Sequence, residues 1–187
     1  MPVHTAWDLG ILDPTAIWFF QAPRSGELRF IDYYEDNDEP MPEYLRVLAD
    51  KKHLYGKHLV PHDIAKREFG TGKTSEEVAA ELGWKLTRVP NIGLEQGIAA
   101  TKMAFDRMFF DAERCAVGLQ RLAHYRRAYN TTMGEFKPVP VHDIASHGSD
   151  ALRMAVVGYA PSRISTDRPH RDTYASQDAI DTGWMGA

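Results

Sequence analysis

The chain has 187 residues, 43% of them hydrophobic and 26% charged, with a formal net charge of −4. This is the composition of one globular domain with a core of its own, and it excludes a globally basic nucleic-acid binder. The single cysteine, Cys115, excludes an intramolecular disulfide and fits a reducing cytosol, and no signal peptide or membrane span is expected.

In chain order, residues 3–10 (VHTAWDLG) read as a strand ending at Gly10, and residues 16–23 (AIWFFQAP) as a second, aromatic-rich strand. Residues 27–35 form a third, joined to the second through the turn Arg24-Ser25-Gly26, which makes an antiparallel meander. Pro40 and Pro42 open a helix with Tyr44, Leu45, Leu48 and Ala49 as its apolar stripe. Residues 57–63 (KHLVPHD) are a short apolar strand with a polar tip.

The letters GTGKT at 70–74 suggest a phosphate-binding loop, but the first glycine of that motif falls on Arg67. Thr74-Ser75-Glu76-Glu77 instead matches a capping box that starts a helix over 75–82, with Val78, Ala79 and Leu82 apolar and Gly83 as its stop. Residues 85–89 are another strand. A helix follows over 94–108, with Ile98, Met103 and Phe105 among its apolar positions. A long helix over 112–130 places Val117, Leu119, Leu122 and Tyr125 inward, and 131–141 form an irregular hairpin. Residues 143–159 are the final helix. Residues 160–187, rich in Ser, Asp, Arg and Pro, read as a mobile tail beyond a folded domain over 1–159. Three antiparallel strands followed by alternating helices and strands argue for an α/β fold with a mixed sheet.

Three aspartates stand out by placement: Asp8 and Asp63 at strand ends, and Asp150 in the last helix. In that helix Asp143, His147, Asp150 and Met154 share one face at about 100° per residue, while Leu152, Val156 and Tyr159 lie on another, the core face. One polar stripe can therefore point at the strand ends that carry Asp8 and Asp63. Two carboxylates about 4 Å apart repel by roughly 4 kcal/mol at an effective dielectric near 20, so such a cluster demands protonation or a cation. Carboxylate oxygens suit Mg²⁺ or Mn²⁺, and a pair of such ions is the arrangement used for phosphodiester cleavage. His62, His142 and His147, beside Asp63, Asp143 and Asp150, leave open a second reading, a single zinc in a hydrolase.

Taken in order, VHTAWDLGILDPTAIWFFQ, HLVPHDIAKREFGTGKTSEEVAAELG, IGLEQGIAATKMAFDRMFFDAERCAVGLQRLAHYRRAY and HDIASHGSDALRM resemble the C-terminal nuclease domain of the large terminase subunit of tailed bacteriophages. The resemblance spans about residues 3–159 and implies an RNase H-like fold and a Mg²⁺- or Mn²⁺-dependent endonuclease with two ions. The implied substrate is concatemeric viral double-stranded DNA, cut during genome packaging in the cytoplasm of an infected or lysogenic host. Asp8, Asp63 and Asp150 match the catalytic carboxylates, with Asp13, Asp143 and His147 as accessory metal candidates. Such terminases carry an ATPase domain ahead of the nuclease and work with a small terminase subunit and a portal. No complete phosphate-binding loop is present, so the chain reads as an excised domain or the product of a truncated gene, excision being favoured, and is not expected to bind ATP itself. Lys66, Arg67, Lys73, Arg126, Arg127 and Lys137 are the basic residues proposed to meet DNA phosphates. Two alternatives remain: another RNase H-like nuclease of resolvase or transposase type, and a non-catalytic docking module of a packaging motor.

Overall fold

The structure, a computed structural model, describes residues 1–10, 13–65 and 72–159. The expectations for Lys66, Arg67 and the 160–187 tail lie outside the described residues. Six strands form one mixed sheet: β1 (Val3–Asp8), β2 (Thr15–Gln21), β3 (Leu28–Asp36), β4 (Tyr55–Val60), β5 (Leu86–Arg88) and β6 (Met108–Phe110). Their order is β5-β4-β1-β2-β3-β6. The first three pair antiparallel, as the meander requires. β4 lies parallel to β1, β5 to β4, and β6 to β3, so helices must serve as the crossovers.

Helices cover both faces, which explains why β2 reads as an unbroken apolar run. Side chains alternate across a strand. On one face Ala6, Ala16, Trp18, Phe20, Phe30 and Leu59 pack with Leu152, Ala155 and Val156 of α5 (Ile144–Gly158). On the other, Val3, Trp7, Ile17, Phe19 and Val60 pack with Tyr44, Leu45 and Leu48 of α1 (Met41–Lys51) and with Ala79 of α2 (Ser75–Glu81). The capping box of α2 is formed in full: Thr74 Oγ1 accepts from the Glu77 amide at 3.1 Å, and Glu77 Oε2 accepts from the Thr74 amide at 2.8 Å.

The first face is completed by α3 (Leu94–Ala104) and α4 (Ala116–His124). Glycines bring the helices onto the aromatic core: a Cβ on Gly118 would lie 2.4 Å from the Trp18 ring. Trp18 Nε1 in turn donates to the Gly148 carbonyl at 2.7 Å.

Several expectations are corrected. The helix expected over 112–130 is α4 alone; Tyr125 turns extended, and Arg127–Asn130 form β7, which pairs with β8 (Glu135–Pro140) as a separate hairpin. Val117 is 47% exposed, because α4 turns Gly118 and Leu119 toward the sheet instead. α3 ends at Ala104 and passes through a short 3-10 turn, leaving Met103 and Phe105 on the surface, and Leu82 beyond α2 is also exposed.

Candidate metal centre

Strand alternation decides where Asp8 points. Val3 and Trp7 face α1, so Ala6 and the terminal Asp8 face α5. There His147, on the second turn of α5, meets it: Nδ1 lies 3.0 Å from Asp8 Oδ2. The His147 side chain is 6% exposed and that of Asp8 23%. The same alternation sends Leu59 toward α5, and β4 then breaks at Pro61 into a 3-10 turn over His62–Ala65. Because β1 and β4 are adjacent and parallel, their carboxyl ends meet at one edge, where open α/β sheets bind ligands. Asp8 and Asp63 line one cleft there of about 290 Å³, together with His62, Asn91 and Arg153.

Asp150 lies one turn beyond His147 on α5, with its Oδ1 2.5 Å from Arg153 Nη1. Burial holds its carboxyl above the usual carboxylate range; Arg153 opposes this, and the charge of Asp8 adds to it. The His147 imidazole is raised, first by its hydrogen bond to Asp8, against the effect of burial. A mostly buried carboxyl, a second carboxylate close enough to perturb it and a histidine thus meet beside the N-terminal half of α5. Oxygen donors dominate this set, which fits a hard divalent ion.

The other predicted positions fall differently. Asp143 is the N-cap of α5: its Oδ1 accepts from the Ala145 amide at 3.0 Å, and its Oδ2 accepts from Arg126 at 2.8 Å. Both oxygens are therefore engaged in holding the helix start. Asp13 lies beside His142, with Oδ2 3.4 Å from Nε2. His142 escaped helical phasing because it precedes the helix, so no 3.6-residue period locates it. His62 is tied to Asn91 at 3.2 Å and stays apart from the other two histidines. Of the basic residues, Lys73 pairs with Glu81 at 2.7 Å and Arg127 with Glu95 at 2.5 Å, while Lys137 stands on the exposed strand β8. A second cavity, about 320 Å³ and largely apolar, lies between α3, α4 and α5; Arg153 lines both cavities.

No protein-family model matches the chain, and no curated protein matches its sequence. Solved structures do match its fold. The large terminase of a thermophilic bacteriophage, in complex with ADP, is 18% identical, with a TM-score of 0.63, over 83% of this chain and 39% of that one. The g2p large-terminase nuclease domain of bacteriophage SPP1 with bound Mn is 14% identical, with a TM-score of 0.59, over 83% and 85%. The P22 large-terminase nuclease domain is 16% identical, with a TM-score of 0.58, over 84% and 80%. The chain therefore has the α/β, RNase H-like fold of phage large-terminase nuclease domains, as its motifs suggested. It spans about two fifths of the length of the ADP-bound thermophilic-phage terminase.

Proposed function

We propose that the chain is the nuclease domain of a phage large terminase, a metal-dependent endonuclease that cuts double-stranded DNA during genome packaging. One observation carries this reading: Asp8 and Asp63, brought to one cleft by adjacent parallel strands, with Asp150 and His147 presented to Asp8 by α5. The likeness in fold to the Mn-bound SPP1 nuclease domain supports it.

Asp8, Asp63 and Asp150 would hold Mg²⁺ or Mn²⁺, with His147 adjoining them; two ions bound there supply an activated water and neutralise the leaving oxygen of the phosphodiester. The carboxylates fix where the scissile phosphate sits, since the phosphate must reach them through the cleft. Arg153 holds Asp150 through their ion pair, and Arg153 also lines the cleft. The cationic candidates Lys73, Arg126 and Arg127 already hold carboxylates, so a DNA phosphate gains one contact at each only by breaking another. With a net charge of −4, the isolated chain is expected to bind DNA weakly and in a salt-sensitive manner. An ATPase domain, a small terminase subunit, a portal and a location in the host cytoplasm belong to the same proposal.

The test is nicking of supercoiled plasmid in Mg²⁺ and in Mn²⁺, with Asp8→Asn, Asp63→Asn and Asp150→Asn as variants. Each is expected to reduce cleavage by about 10²-fold or more, the scale seen when a group acting on the transition state is lost. Metal-independent cutting, or three variants that all cut normally, would sink the reading. Preference for branched over linear duplex would move the assignment to a resolvase-type nuclease.

A further inference from the structure

A second set of ligating side chains, which shares His147 with the carboxylate centre, converges at the start of α5. One ligand atom each from Asp13, His142 and His147 lie within 4.8 Å of one another. The two imidazoles stand edge to face, with centroids 5.2 Å apart. Each ring has its Nδ1 engaged elsewhere: that of His147 with Asp8 Oδ2 at 3.0 Å, that of His142 with Ser146 Oγ at 3.1 Å. Nε2 of both rings is thereby the nitrogen left for ligation. A histidine whose second nitrogen is held by a carboxylate is the arrangement that fixes the tautomer and ring angle of a metal ligand. Asp8 stands in that relation to His147.

The donor set also separates this cluster from the cleft. Asp8, Asp63 and Asp150 offer oxygen alone, which suits hard ions. Two imidazoles and one carboxylate suit a borderline ion, and three protein ligands leave a position for water. We propose that Asp13, His142 and His147 form a second, nitrogen-rich site for a transition-metal ion such as Zn²⁺ or Co²⁺. Asp8 joins the two sites, because it orients His147 while lining the cleft. This coupling, though not the site itself, rests on the nuclease reading. His142 and Asp13 are exposed, so an ion enters from solvent and finishes on the buried His147.

Visible absorption of Co²⁺ added to the whole chain tests the site without any DNA. A single Co²⁺ is expected to give the ligand-field bands of a low-coordinate nitrogen and oxygen site, and Zn²⁺ to displace it. His142→Ala and Asp13→Ala change exposed positions and should leave the circular dichroism unchanged while abolishing the bands. Asp63→Asn should keep them. Loss of the carboxylate behind His147, in Asp8→Asn, should weaken Co²⁺ binding by about 10–100-fold. Bands that survive His142→Ala and vanish in Asp150→Asn would place the ion at the carboxylate centre and overturn the proposal. A chain that shows His142-dependent bands yet cuts no DNA in Mg²⁺ or Mn²⁺ removes the nuclease reading alone. One that cuts but lacks the bands removes this site alone.

Discussion

Asp150 and Arg153 form the pair on which the centre turns. The carboxyl is raised by burial and by Asp8, and the guanidinium 2.5 Å away opposes both. Arg153→Ala leaves a mostly buried carboxylate facing another negative charge. The expected loss is about 2–3 kcal/mol in urea denaturation near neutral pH, since a hydrogen-bonded charge loses its partner while staying desolvated. Mn²⁺ should recover part of that loss in Arg153→Ala and none of it once Asp150→Asn is added. An unchanged urea midpoint would show that the guanidinium does not balance the carboxyl. The position of Arg153 depends on Gly97, where a Cβ would lie 2.4 Å from the arginine Cδ. Asp8 and Asp150 could be placed from the sequence because one ends a strand and the other lies on a helical stripe, where local rules apply, whereas Asp63, expected at the end of a strand over 57–63, lies in the 3-10 turn beyond β4. Asp13 and His142 were not seen as partners, because 129 positions separate them and no local rule spans that distance. Asp143 matched the stripe by period, but as N-cap it lies at the helix boundary, where a side chain turns back to the backbone.

At the scale of elements, strands and capped helices were readable because their signals are local: alternation in β1, the apolar run of β2 and the box at Thr74. The failure at 112–130 has a physical cause. Apolar spacing continues past His124, but Tyr125 leaves helical geometry and β8 supplies a partner strand that no periodicity announces. α4 is held by glycine contact with Trp18 and by the ion pair of Arg121 with Glu35 on β3. Gly118→Ala therefore makes a sharp test. Helix propensity alone favours alanine by about 1 kcal/mol. A new Cβ 2.4 Å from the Trp18 ring should reverse the sign, with a net loss of about 1–3 kcal/mol in urea denaturation. A stabilised variant would mean that α4 is free to shift. Thr74→Ala should cost about 1 kcal/mol through loss of the cap, a smaller effect on the opposite face of the sheet.

At the scale of the molecule, the two histidine environments pull stability in opposite directions with pH. Burial, with a contribution from His4, drives the His58 imidazole down to about 4. Its Nδ1 lies 2.7 Å from Thr5 Oγ1, and Tyr55 and Trp84 pack their rings on it. His4 is lowered too, by burial and then by Lys57, and its Nδ1 accepts the Lys57 amide at 2.9 Å. A histidine kept neutral binds fewer protons folded than unfolded. Its contribution is complete above about pH 6.5 and is lost as pH falls toward about 4, on the order of 3 kcal/mol for His58. His147 runs the other way. Its raised imidazole contributes stability that is complete below about pH 6.5 and is lost as pH rises through its folded value. The metal-free chain should therefore be most stable just below neutrality and lose stability on either side. Glu35, held low by Arg121 and Tyr33 in spite of burial, adds its own loss only below about pH 4.5. The raised Asp150 carboxyl gains stability as pH falls and opposes the histidine loss, so the histidine share is read between about pH 6.5 and 5 in the Asp150→Asn chain. Urea midpoints across about pH 5 to 8, with imidazole NMR titration of the same samples, separate the contributions. A midpoint that stays flat between about pH 6.5 and 5, or a His58 resonance that titrates near 6.5, would show that the buried imidazole is solvated and that the β1–β4 contact opens. That outcome would also loosen the strand pair that brings Asp8 and Asp63 to one edge, so the acid limb measures the rigidity on which the metal centre depends.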